Sequence, residues 1–239
     1  MKSKIRLIGS ILIISVLGFS CTPRIFNRND LIINEKTDSS KTKSFRIDGY
    51  YYHKTESLDF LKEIPKQGGG VKKLADSEFK RKEIEALILY SNGYLYCSDN
   101  LLISTEIEVN RSTESDLERL NHYDSVLIQF EHDLKNNHFA SRPKNGRKSD
   151  IWNWGVYKVD NDSILIQYYR NELGDYYLIE QTGVIQNDST LTILSEREYK
   201  SPNSKGYYMT LEKIYKFKHL DSKPDSTNYI MMNEDKFGQ

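Results

Sequence analysis

The 239-residue chain carries 34 basic and 34 acidic side chains, which excludes the strong positive bias of a nucleic-acid binder. The balance is uneven: residues 1–20 hold Lys2, Lys4 and Arg6 and no acid, leaving a mildly acidic body without a basic stripe for a polyphosphate partner. The 17 tyrosines favour pleated, half-buried surfaces, and the body is long enough for one sizeable core.

The chain opens with a basic stretch, then an apolar run from Leu7 to Phe19 and the sequence Leu17-Gly18-Phe19-Ser20-Cys21. The apolar run is shorter than the ~20 residues needed to cross a bilayer as a helix, so 1–20 reads as a secretory signal peptide. Small residues leading into a cysteine resemble the bacterial lipoprotein signal, in the looser form found in the Bacteroidota. That resemblance implies cleavage before Cys21 and acylation of its thiol, palmitate included. The competing readings are an ordinary secretory signal with an incidental Cys21, or an uncleaved anchor. Residues 21–43 are polar and unpatterned and read as a flexible tether. The implied location is the outer membrane, held by lipid. Surface lipoproteins of the Bacteroidota often carry acids just after the cysteine, and Thr22-Pro23-Arg24-Ile25-Phe26 has none, so the resemblance implies the periplasmic face. Cys97, the other cysteine, has no partner for an internal bridge in an exported chain and reads as a small strand residue.

From residue 44 the hydrophobic period becomes two. Phe45, Ile47 and Tyr51 fall on one face of an opening strand, and a short helical turn is expected over 57–63. The segment 86–98 reads as a hairpin through a two-residue Asn92-Gly93 turn, and 101–109 as a further strand. Leu117, Leu120, Leu127, Phe130 and Leu134 recur at helical spacing, so a helix is expected over 114–136, with a strand over 124–130 as the alternative. Two later hairpins turn through Asp160-Asn161-Asp162 and Gln186-Asn187-Asp188, and Met209, Leu211, Tyr215 and Phe217 mark a last long strand. About eight or nine antiparallel strands joined by tight turns, with one inserted helix, close most simply into a barrel over 44–220, followed by a tail over 221–239.

The strands around Phe45–His53, Leu87–Tyr96, Trp152–Tyr169 and Gly183–Ile193, with the closing segment 223–228, are similar to the lipocalin-like domains of small Bacteroidota lipoproteins. Gly49-Tyr50-Tyr51 stands where lipocalins carry Gly-x-Trp. The resemblance implies a calyx-like barrel and no particular activity.

Chemistry-bearing motifs are sparse. No nucleophile elbow, phosphate loop or zinc spacing occurs, so neither a reaction nor a cofactor is expected. Glu131, His132, Asp133 and His138 suggest a divalent cation site, against the plainer reading of a solvated helix face. Trp152, Trp154, Tyr157, Tyr168 and Tyr176 fall on three consecutive strands and are the ligand-cavity candidates, with barrel filling or an outward protein-contact patch as alternatives. Two functions follow as expectations. One is a lipid-anchored envelope protein whose barrel binds a small apolar or amphipathic molecule. The other is an interaction protein with a filled barrel that contacts an envelope partner through loops or the 114–136 helix.

Overall fold

A computed structural model describes residues 23–37, 45–59, 63–65, 71–73, 79–102, 123–136, 150–199 and 206–238. Eight antiparallel strands form a closed barrel: β1 (Gly49–Asp59), β4 (Phe79–Leu89), β5 (Tyr94–Leu102), β6 (Trp154–Asp160), β7 (Ser163–Glu172), β8 (Asp175–Asn187), β9 (Thr190–Tyr199) and β10 (Tyr207–His219). Each pairs with the next in the chain, and a small hairpin of β2 (Glu63–Pro65) and β3 (Val71–Lys73) lies between β1 and β4. The fold is therefore mainly β, a lipocalin-like up-and-down barrel, as the strand pattern leads one to expect.

Closure rests on a short seam. β1 meets β10 only from Gly49↔His219 to Tyr52↔Lys216, whereas β1 runs on against β4 as far as Asp59↔Phe79. This continued pairing overrides the helical turn expected over 57–63: residues 57–59 stay in β1 and 63–65 are β2. Residues 103–109 of the strand expected over 101–109 lie outside the described residues, and β5 ends at Leu102. The turn at Asn92-Gly93 is also longer than expected. Ser91, Asn92 and Gly93 form a three-residue loop, and only Gly93 has a left-handed φ (80°). A Cβ on Gly93 would lie 2.6 Å from the Thr37 carbonyl oxygen, so glycine is also needed for close approach.

Strand alternation divides the apolar residues into two clusters. One fills the barrel with side chains from every barrel strand, among them Tyr51, Leu87, Leu95, Tyr157, Ile166 and Leu191. The other covers the outer face of the barrel. There the helix α1 (Tyr123–Lys135) presents Leu127, Phe130 and Leu134, with Phe130 edge-on to Tyr50 at 5.4 Å. α1 confirms the helical reading over the alternative strand, while 114–122 lie outside the described residues.

Residues 23–37 of the expected tether and 221–238 of the expected tail are packed in this outer layer, and 21–22 and 38–43 lie outside the described residues. Over 23–37 the chain lies along the outside of β6–β8. Ile25 bridges Tyr176, Gln167 Oε1 accepts from the Ile32 amide at 2.8 Å, and Leu31 and Ile33 are buried. Over 221–238, α2 (Tyr229–Met232) is capped by the Asn228 side chain, and Ile230 and Phe237 are buried in the same cluster. The physical reason is that the outer faces of β4–β7 are apolar (Ile84, Ile88, Tyr96, Trp154) and need covering. Cys21 and residues 1–20 lie outside the described residues.

Candidate functional site

The candidate cavity residues do not converge. Tyr157 and Tyr168 point into the barrel, but Trp154 belongs to the outer cluster and Tyr176 packs against it. Trp152 bridges Tyr169, itself an outer-cluster residue. Two-residue alternation explains the split: Trp154 and Tyr157 differ by an odd number of positions and must lie on opposite faces. The two inward tyrosines sit at different depths. Tyr157 is near the end formed by the 90–93, 161–162 and 188–189 turns, where its hydroxyl donates to the Tyr90 carbonyl at 2.7 Å. Tyr168 is near the opposite end and accepts from Arg170 Nη2 at 3.1 Å.

The first of these ends is closed. Phe45 packs edge-on against Tyr157 at 6.1 Å, and the Tyr51 hydroxyl donates toward the Arg46 and Asp188 carbonyls, at 3.0 Å each. Lys223 seals the rim, its ammonium donating to the Ile47 carbonyl at 2.6 Å and to the Leu89 carbonyl, 4.6 Å from the Tyr90 ring centre. Burial lowers the Lys223 pKa to about 8.

The other end is a polar mouth. Inside it, alternately charged side chains run from wall to wall. Lys213 (β10) holds both oxygens of Glu85 (β4) at 2.8 and 2.9 Å and lies 3.9 Å from Glu196 (β9). Arg170 (β7) is also 3.9 Å from Glu196 and donates to Glu198 (β9) at 2.8 Å. Tyr215 donates to Glu85 at 2.6 Å, and Gln181 Nε2 (β8) donates to Glu196 at 2.7 Å. The Glu196 side chain is only 4 % exposed. Burial alone would raise the Glu85 pKa, but the adjacent Lys213 ammonium and the Tyr215 hydroxyl outweigh it and hold the carboxyl below its ordinary value. Lys213 is raised in turn: burial works against its charge, and Glu85 overcomes that. The pair stays ionised at neutral pH.

Above this network lies a cavity of about 190 Å³ lined by Arg170, Asn171, Glu172, Tyr177, Ile179 and Glu198, while most of the β1–β4, β5–β6 and β9–β10 connections at this end lie outside the described residues. Gln181, one inward position below Ile179, is 1 % exposed, and its Oε1 has no hydrogen-bond partner among the described residues. Its amide orientation follows from the donation of Nε2 to Glu196, which leaves an acceptor.

The site depends on a β-bulge. Thr182 pairs with Ser195 but Gly183 pairs with Ile193, so Leu194 is an extra residue in β9. Simple alternation from Leu191 and Ile193 would send Ser195 and Arg197 inward. The bulge turns Glu196 and Glu198 inward instead. No sequence pattern marks this position, although three Glu residues with a Lys and an Arg on strands of a small barrel are an anomaly that composition could have flagged. Around α1, Glu131 accepts from the Tyr50 hydroxyl at 2.6 Å and pairs with Lys218 at 2.7 Å, so it serves packing. Among the described residues no group of three or more His, Cys, Asp or Glu side chains is arranged to hold a metal ion, and His138 lies outside them. Cys97 is buried in the barrel interior.

Comparison with protein-family models, with curated proteins and with solved structures yields no match. No helix of the described residues is long and apolar enough to cross a membrane.

Proposed function

We propose that this chain is an exported, lipid-anchored protein of the bacterial envelope whose barrel binds the polar end of a small amphipathic molecule without transforming it. The observation that carries the ligand reading is the ion-paired network beneath the cavity, with the Gln181 acceptor unfilled within it among the described residues. A barrel built only for stability gains more from apolar filling, because buried ion pairs return little of their desolvation cost. Fixed polar groups at the foot of a cavity are what oriented binding requires. The cavity is smaller than the roughly 300–1,000 Å³ that holds a drug-sized ligand, so it suits a headgroup rather than a whole lipid. The anchoring half of the reading rests on the order of basic start, short apolar run and Cys21.

Native mass spectrometry of the full protein, extracted from its own envelope, tests binding. The expected result is a non-covalent adduct that disappears in Gln181→Leu; a chain that carries none, before and after incubation with envelope lipid extract, overturns it. Mass analysis of the mature amino terminus tests anchoring, with acylated Cys21 expected and cleavage elsewhere refuting it. A second reading, an interaction protein that uses its outer surface, draws on the filled closed half of the barrel. It predicts an adduct-free protein that co-purifies with a stoichiometric envelope partner.

A further inference from the structure

The hairpin between β7 and β8 is built against ordinary turn chemistry. Its two central residues, Leu173 and Gly174, both have left-handed backbone (φ 53° and 92°), the geometry of a type I′ turn. Gly, Asn and Asp suit that first position, and a γ-branched apolar residue is an outlier there. Leu173 is also fully exposed. At the far end of β7 the turn at Asn161 has the same φ, 53°, and uses the expected residue. Leu173 therefore contributes neither burial nor turn stability to the described fold. An exposed, strained apolar tip is a contact feature.

What it contacts follows from the chain that arrives beside it. Arg24 and Phe26 pair with the start of β8: the Tyr176 amide donates to the Arg24 carbonyl at 2.8 Å, and the Phe26 amide to the Tyr176 carbonyl at 2.9 Å. The Arg24 guanidinium binds Asp175 at 2.8 Å, and Phe26 stacks on Tyr177 at 5.1 Å. The amino-terminal segment is thus clamped to the hairpin that carries Leu173, at the rim of the mouth. Only Thr22 and Pro23 separate Arg24 from Cys21, a span of at most about 11 Å when fully extended.

We propose that the barrel stands mouth-down on the bilayer, with Leu173 and its hairpin seated in the lipid interface and the binding cavity opening toward the membrane. The proposal rests on acylation of Cys21. The clamp at Arg24–Phe26 holds the mouth end at the membrane, because the leash is too short to let a barrel with a ten-residue β7 stand on its opposite end. The exposed apolar tip at Leu173 shifts the balance toward standing rather than lying. An amphipathic ligand then enters head first while its apolar part stays in lipid.

The full lipidated chain, reconstituted in phosphatidylethanolamine–phosphatidylglycerol vesicles doped with brominated phosphatidylcholine, tests this. The indole introduced by Leu173→Trp is expected to lose emission to the brominated lipid. The one introduced by Asn161→Trp, at the same backbone φ but the other end, is expected to keep it. Hydrogen exchange on the unmodified chain gives a second readout free of folding artefacts: amides of 172–176 gain protection on reconstitution and those of 160–163 do not. An acylated protein with equal or no quenching at the two tips, or with no protection gained at 172–176, overturns the orientation alone. A mature chain without acyl groups on Cys21 overturns the orientation together with the anchoring on which it rests.

Discussion

At the closed end of the barrel Phe45, Tyr51, Tyr157 and Leu191 fill the interior, and the polar atoms that intrude there, such as the Tyr157 hydroxyl and the Lys223 ammonium, are matched to backbone carbonyls. At the mouth Glu85, Glu196 and Glu198 alternate with Lys213 and Arg170, and Gln181 keeps an acceptor without a partner among the described residues. The same eight strands therefore run from a volume-filled core into a charge-matched one. Apolar filling stabilises in proportion to the area removed from water, whereas a charge network stabilises only as a complete set. Such a division separates the part that keeps the fold from the part free to meet a ligand.

The comparison predicts that the closed half responds to lost volume and the mouth to lost charge balance. Leu191→Ala, within the filled half, is expected to cost about 3–4 kcal/mol in denaturant unfolding. Lys213→Met, which leaves Glu85 without its counter-ion, is expected to cost about 3 kcal/mol, yet the double change Lys213→Met with Glu85→Leu should recover most of it. If the double variant is as unstable as the single one, the mouth is packed like the closed end and the contrast fails. The Lys223 ammonium should show an alkaline signature. Its pKa is lowered to about 8 by burial, against 10.5 unfolded, so above pH 8 the unfolded chain holds a proton the folded one has released. Stability should then rise by roughly 1 kcal/mol per pH unit between 8 and 9.5, and Lys223→Met should flatten that rise. In acid the slope has the same sign. Glu85 has its carboxyl pKa lowered in the fold, so its contribution is complete above its unfolded value of 4.5 and is lost as pH falls through the folded value. Glu85→Gln should remove part of the fall in thermal midpoint expected below pH 4.5.

Much of the fold is legible in alternation and turns. Phe45, Ile47 and Tyr51 read as one face of an opening strand and Tyr215 and Phe217 as one face of the last, all five pack in or against the interior cluster, and the leucines of α1 read as one stripe. The site is not legible in the same way. A single added residue, Leu194, reverses the faces of everything beyond it in β9, and bulges leave no periodic trace. The aromatic candidates drew attention by size, but alternation sent Trp154 and Tyr176 outward and buried Tyr157 at the closed end. The terminal segments look polar because only a few residues, Ile25, Leu31, Ile33, Ile230 and Phe237, carry their packing. Sparse anchors of that kind fall below any local pattern.

The four-residue seam between β1 and β10 joins the earliest and the latest strands of the barrel. Every other pairing in the wall can zip up between sequence neighbours, but this one must wait for residues 216–219. Until those residues are in place, the barrel is an open, curling sheet with two unsatisfied edges. Closure is thus the last act of folding, and it falls due only after the whole wall has been made.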